Sequence, residues 1–293
     1  MGESLPMRSR STEGLLLVDK PAGMTSHDVV AIARRALGER RIGHAGTLDP
    51  SATGLLVLLL GRMTRLLPYL DAEPKVYEAQ IRFGTETDTD DATGRVSRRA
   101  PLPIRADVDR AIAVLTGTIE QVPPAYSARH MGGRRAYTAA RQGTPLDLPA
   151  SRVTVHSWEV RRRTNDTLDV VISCSGGTYI RALARDLGRH AGSAAHLVAL
   201  RRVASGPFHV RDACELTAVQ DGRCTPLAAL RALGSLAVER LDAAGVDRVA
   251  RGNLVDATVS GDRAALVGPN DELIAVAERS GSSWQPRTVL RDA

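Results

Sequence analysis

The most chemically pointed stretch of the chain is Gly43-His44-Ala45-Gly46-Thr47-Leu48-Asp49-Pro50-Ser51-Ala52-Thr53-Gly54. Proline sterically biases the residue before it out of the α region, so Asp49 is held extended. Gly43, Gly46 and Gly54 let a ligand backbone come close. The result is an acid presented on a rigid, open loop, an arrangement suited to catalysis. The same residues also fit a plain Asx turn at Asp49. No GK[ST] follows the glycines, so the loop is not a Walker phosphate cradle. His44 sits five residues before Asp49, where an imidazole can stay exposed and inert, stack on a base, or fill a vacated base position.

Other candidate clusters are weaker. Asp88, Asp90 and Asp91 resemble a calcium loop only superficially, because Arg99 stands where the bidentate Glu would be; they read as a polar turn between strands. The seven histidines form no HxH or HxxxH pair, which argues against a metal site built from local ligands. Cys174, Cys214 and Cys224 make no CxxC pair, so neither a disulfide framework nor a zinc knuckle is expected, and a reducing cytoplasm suits them. Arginine doublets recur at 34/35, 40/41, 98/99, 134/135 and 201/202, with a triplet at Arg161–Arg163. Interleaved with Tyr126 and Tyr137, they match a surface that tracks phosphates better than a point site.

The elements that must position these groups can be read from hydrophobic period. Residues 14–19 and Leu55–Leu60 read as short buried strands. Ser26 is placed to cap a helix through Leu37, ended by Gly38. Tyr77, Ala79, Ile81 and Phe83 alternate with Glu78, Gln80 and Arg82, the mark of a half-buried strand; Leu168, Val170, Ile172 and Cys174 repeat it. Residues 105–116 suit a helix closed by Gly117, and Thr178 opens another running to about His190. From Val122 to Pro149 there is little period and much Pro, Gly and Arg, which reads as a functional excursion. After residue 234 the texture changes to short strands at 253–259, 264–267 and 272–277, joined by turns.

The 293 residues carry 39 Lys plus Arg against 33 Asp plus Glu, a net of +6. Only Lys20 and Lys75 are lysines, and arginine's planar fork suits phosphates and bases. Residues 235–293 hold seven Arg and nine acids. That net of −2 leaves +8 on residues 1–234. With 43% apolar and 25% charged residues, disorder and fibrous folds are excluded. The longest apolar run falls far short of the ~20 residues of a membrane span, and Met1 to Ser11 shows no signal-peptide core. A cytoplasmic protein of one large domain with a small appendage is expected.

Taken together, these pieces resemble the TruB-type tRNA pseudouridine synthases over essentially the full length. The resemblance is carried, in order, by Lys20-Pro21-Ala22-Gly23-Met24-Thr25-Ser26, the Asp49 loop with LLVLLLGRMTR after it, and Lys75-Val76-Tyr77-Glu78-Ala79. GTETDTDDATG (84–94), QVPPAYSARHMGGRRAY (121–137), GGTYIRALARDLG (176–188) and LRRVASGPF (200–208) follow. It implies an α+β catalytic domain (1–234) on a mixed, largely antiparallel sheet with a central cleft and an RNA-gripping insertion at about 122–150. A small β-rich, PUA-like RNA-binding domain (235–293) would follow.

The implied reaction isomerises uridine 55 in the T-loop of tRNA, with no cofactor and no metal. The implied partner is the T-arm stem-loop, bound by a monomer without guide RNA or obligate protein partner. Site roles follow by position. Asp49 is the catalytic aspartate, Tyr77 the aromatic against the uracil, and Arg181 the cation paired with Asp49. Tyr179 and Leu200 line the base pocket, His44 contacts the RNA and takes the flipped base's place, and Lys20 braces the catalytic loop. Guide-RNA-dependent synthases share the aspartate loop; the 122–150 segment is what separates them. An RNA-folding module and, more distantly, a metal hydrolase are the other readings.

Overall fold

A computed structural model describes residues 13–127, 129–144 and 146–291; the stretch Met1 to Ser11 lies outside them. The first part of the chain runs β1 (Gly14–Lys20), α1 (Ser26–Leu37), β2 (Ile42–His44), β3 (Thr53–Leu60), β4 (Lys75–Phe83), β5 (Thr85–Thr87), β6 (Val96–Arg99), α2 (Arg105–Val114) and β7 (Gly117–Gln121). The excursion that follows folds into a two-residue hairpin, β8 (His130–Met131) and β9 (Arg134–Arg135), with a short helix α3 (Ala136–Arg141). Then come β10 (Ser151–Arg163), β11 (Thr167–Cys174), α4 (Ile180–His190), β12 (Ala195–Ser205), β13 (Phe208–His209), β14 (Cys214–Glu215) and α5 (Leu216–Gln220).

Ten of these strands form one sheet in the order β14-β1-β3-β12-β4-β11-β10-β7, with β2 and β13 on its flanks. Only the β1–β14 and β3–β12 pairings are parallel, so the sheet is mixed and largely antiparallel, as the resemblance implied. Helices α2 and α4 cover the β4–β11–β12 face, where Ile81, Leu168, Ile172, Leu183 and Leu187 pack. β3 is buried on both sides: Leu56 and Leu58 meet Val29, Val30 and Val219, while Leu55, Val57 and Leu59 meet Leu15 and Phe208. Two-sided burial is why this strand reads as a continuous apolar run. Each such leucine contributes roughly 1.5–3 kcal/mol on burial.

The C-terminal residues form β15 (Ala237–Arg240), a helix α6 (Ala243–Ala250), β16 (Val255–Asp256), β17 (Arg263–Val267), β18 (Leu273–Ser280) and β19 (Ser283–Val289). They make a separate five-stranded sheet, β15-β17-β18-β19-β16. Ala265, Val276 and Leu290 from this unit join the cluster around Leu55, Phe208 and Leu233. Its apolar face therefore completes the core of the first part.

The structure corrects several sequence expectations. Thr25, not Ser26, caps α1: its hydroxyl accepts from Asp28 N, and the Asp28 carboxylate accepts from Thr25 N, a reciprocal capping box. Gly38 does end that helix, at φ 63°. Helix α2 stops at Val114, and Gly117 instead opens β7. Helix α4 begins two residues after Thr178, with Tyr179 as its N-cap. Cys214 and Cys224 are joined by a disulfide, because α5 turns the chain back toward β14 and leaves their Cα atoms 6.3 Å apart. Cys174 is free and buried.

Candidate active site

The Asp49 loop runs between β2 and β3 and is clamped from below by the segment joining β1 to α1. Ser26, freed from capping, is buried; its hydroxyl accepts from Leu48 N at 2.9 Å and donates to Leu48 O at 3.2 Å. Lys20 is fully buried, and its ammonium donates to Met24 O at 2.8 Å, Pro21 O at 2.9 Å and Pro50 O at 3.4 Å. Burial pushes the Lys20 ammonium down to about 8, with Asp49 opposing. Gly23 N also donates to Pro50 O at 2.8 Å. At the far end, Gly54 (φ 100°) lies where β3 meets β12, and a Cβ there would stand 2.3 Å from Arg202 O. Any side chain at 54 would push the strands apart.

This frame leaves the Asp49 carboxylate about a third exposed, against an Arg181 side chain that is 5% exposed. Arg181 Nη2 donates to Asp49 Oδ1 at 3.1 Å. Its Nε stands 2.8 Å from Oδ2 but off the hydrogen-bonding line, an ionic rather than a directed contact. The guanidinium is itself fixed by Thr89 O and Tyr126 O, each at 2.9 Å, and Asp91 Oδ2 lies 3.9 Å away. A buried cation thus stands directly behind a half-open carboxylate.

The cavity beside Asp49 has a volume of about 250 Å³, and Asp49, Tyr77, Tyr179, Arg181 and Leu200 all line it. Tyr77 reaches it from β4; burial pushes its hydroxyl above the usual phenol range, with the Arg202 guanidinium opposing. The Tyr179 backbone is held by the buried Gln121 amide, which accepts from Tyr179 N at 2.9 Å and donates to Tyr179 O at 3.2 Å. His44 and Lys20 do not line this cavity. His44 packs edge-on against His27, with ring centroids 5.6 Å apart. Its Nδ1 is buried without a partner, and burial lowers its proton affinity, so the imidazole is neutral at pH 7.

Sequence reading missed the support behind Arg181. Arg181, Arg185 and Arg189 are spaced by four along α4 and face the turn and hairpin of β5–β6. Arg185 Nη1 donates to Asp90 Oδ2 at 2.9 Å, and Arg189 Nη2 to Glu86 Oε2 at 2.7 Å. The polar turn expected at Asp88–Asp91 is there, with Asp90 at φ 60°. Asp90 and Asp91, however, are buried against the arginine row. Burial raises the Asp90 carboxyl to about 6, with Arg185 opposing. An i, i+4, i+8 arginine row along α4 was the available signal. Lys75 and Thr178 also line the cavity, and neither was singled out.

Among the described residues no cluster of three or more His, Cys, Asp or Glu could hold a metal. None of their helices is long and apolar enough to cross a membrane.

The chain is 45% identical over 289 residues to tRNA pseudouridine synthase B of Thermobifida fusca (strain YX), covering 95% of this chain and 98% of that one. It is 44% identical over 292 residues to the protein of that name from Mycobacteroides abscessus, covering 97% and 98%. Among solved structures, an H/ACA RNP bound to a substrate RNA containing 2'-deoxyuridine superposes with a TM-score of 0.72 at 22% identity, covering 99% of this chain and 88% of that one; it shares the fold. The model of the tRNA pseudouridylate synthase B C-terminal domain matches residues 181–231. That of the TruB family pseudouridylate synthase N-terminal domain matches residues 34–180, so the chain belongs to the TruB family of pseudouridylate synthases.

Proposed function

We propose that this protein converts uridine 55 in the T-loop of tRNA to pseudouridine. One observation carries the reading: a half-open carboxylate, paired to a buried arginine, faces a cavity floored by an aromatic ring. The reaction breaks the C1′–N1 bond, turns the uracil and joins C1′ to C5; N1 gains a proton and C5 loses one. No atom or electron is lost overall, so the isomerisation calls for a carboxylate and a pocket rather than a cofactor.

In this reading Asp49 acts on the sugar–base junction. Arg181 keeps it oriented, held in turn by Thr89, Tyr126 and the Asp91 carboxylate. The target base is flipped out of the loop, which costs a few kcal/mol of unstacking. It lies against Tyr77, between Tyr179 and Leu200, where a water-poor site strengthens the Asp49–sugar interaction. His44, neutral and beside the catalytic loop, takes the vacated base position. Lys20 and Ser26 hold the loop. The excursion at 122–150 grips the T-arm, and the C-terminal unit adds a PUA-like RNA contact. The presence of that excursion, together with 45% identity to tRNA pseudouridine synthase B of Thermobifida fusca, favours a stand-alone tRNA enzyme over a guide-dependent one.

The test is to incubate the purified protein with an unmodified tRNA transcript and map pseudouridine at single-nucleotide resolution. Conversion at position 55 alone, undiminished by EDTA, is expected. An unchanged transcript, or conversion elsewhere, would overturn the reading.

A further inference from the structure

Lys75 stands at the start of β4, two residues before Tyr77 and so on the same face of the strand. It lines the cavity that holds Asp49, Tyr77 and Arg181. Its ammonium lies beneath the catalytic loop: a Cβ on Gly46 would be 3.0 Å from Lys75 Nζ and 3.5 Å from Arg202 Nη1. Lys75 therefore lines one end of the cavity, with the Arg202 guanidinium buried close behind it. Arg202 is buried, and two of its nitrogens are committed to Leu55 O and Gly46 O. No carboxylate is within ion-pair distance of either cation among the described residues. The nearest carboxylate, Glu73, offsets part of the Lys75 charge from beyond ion-pair distance, while its Oε1 accepts from Gly176 N at 2.8 Å. Lys75 Nζ makes no hydrogen bond among the described residues either.

The rim around this end is built for close approach. Gly46 has φ 97° and Gly177 φ 80°, and the space over Gly177 is open. The neighbouring Thr178 hydroxyl is buried against the Cys174 thiol. A cavity-lining ammonium with no hydrogen bond of its own, beside a buried guanidinium and two bare backbones, is a site for an anionic oxygen.

We infer that Lys75 is a further substrate-binding residue, whose ammonium holds one of the two phosphates flanking the flipped uridine. A uracil carbonyl would offer Nζ only a partial charge, whereas a phosphate oxygen offers a full one. The inference rests on the RNA reading above and deepens it, dividing the cavity into a base-holding part at Tyr77 and a phosphate-holding part at Lys75.

The test uses the full chain and a T-arm stem-loop carrying a neutral methylphosphonate at either flanking phosphate. Filter binding and single-turnover pseudouridine formation are both read. Wild type should lose roughly ten- to hundred-fold in affinity on one of the two modified RNAs, the range for a hydrogen bond to a charged group. Lys75→Met should lose as much on unmodified RNA and nothing further on that modified one. Its salt dependence should be shallower by the equivalent of about one phosphate, and Lys75→Arg should recover most of the affinity. Equal wild-type binding to all three RNAs, or losses that simply add between variant and modification, would overturn the inference; additive losses would mean that Lys75 meets some other part of the RNA. If Lys75→Met does not fold, Lys75→Gln takes its place in the same comparison and is read by the same outcomes. Wild type that binds but forms no pseudouridine on unmodified RNA would defeat the proposed function, while the binding arms would still decide the role of Lys75.

Discussion

Asp49 and Arg181 form an asymmetric pair: the acid is about a third exposed and the cation almost wholly buried. That asymmetry leaves the carboxylate free on the cavity side while its charge is fixed from behind. Removing the cation should therefore be felt in both stability and turnover. Arg181→Met strands Asp91 as well as Asp49 and empties the hydrogen bonds to Thr89 O and Tyr126 O. A loss of about 3–5 kcal/mol in denaturant unfolding is expected for breaking such a buried pair, together with a severe fall in single-turnover rate. Arg181→Lys should rescue little, because a point charge cannot reproduce the planar fork that reaches Asp49, Thr89 and Tyr126 at once. Near-wild-type stability in Arg181→Met would contradict this geometry.

At the scale of elements, α4 and the β5–β6 turn act as one unit joined by the arginine row. Asp90 gives that unit a measurable pH signature. Its folded-state pKa of about 6 lies above the ordinary carboxylate value, so the folded protein holds the proton more tightly than the unfolded chain. The corresponding stability is present below pH ~4 and is lost as pH rises through 6. The difference in unfolding free energy between wild type and Asp90→Asn should thus shift by roughly 2 kcal/mol between pH 4 and 7, at 1.36 kcal/mol per pKa unit. A difference that stays flat across that range would show that Asp90 titrates normally.

The same elements show what sequence could reveal. Alternation made β4 and β11 plain, and the run Leu55–Leu60 made β3 plain, because each pattern follows directly from which faces are buried. β10 and β12 were not read. β10 carries the Arg161–Arg163 run at an exposed end, and β12 is bulged near Val198 and Val203, which breaks its period. The Asp49 loop was marked locally by proline and glycine, which left an Asx turn equally open; the family resemblance supplied its catalytic assignment. The Arg181–Asp91 and Arg185–Asp90 partnerships were not legible, since they join residues about 90 positions or more apart in sequence and depend on the α4 register against a turn. The Cys214–Cys224 pairing likewise needed the return of α5.

Over the whole molecule, charge and packing divide the labour between the two sheets. Residues 1–234 carry the +8 excess, whereas the C-terminal unit is slightly acidic and contributes Ala265, Val276 and Leu290 to a shared core. RNA affinity should fall steeply with salt, since each arginine that meets a phosphate releases counterions, and most of that dependence should belong to the first part. Neutralising the exposed Arg134 and Arg141 of the excursion to Gln should flatten the slope of log affinity against log salt by about one for each phosphate no longer neutralised. The same change at exposed Arg240 and Arg287 should leave it nearly unaltered. Filter binding from low to moderate salt checks this, and the reverse ranking would move the electrostatic interface to the C-terminal sheet.

The central claim is that the Asp49 carboxylate performs the chemistry while other groups supply affinity. Asp49→Asn keeps the side chain's shape and removes its charge and nucleophilicity, so the damage should fall on turnover. The decisive measurement is single-turnover tritium release from C5 of the target uridine, run beside filter binding on the same tRNA. The account predicts no detectable release by Asp49→Asn, with affinity within a few-fold of wild type. Substantial tritium release by that variant would remove Asp49 from its role and contradict the account at its centre.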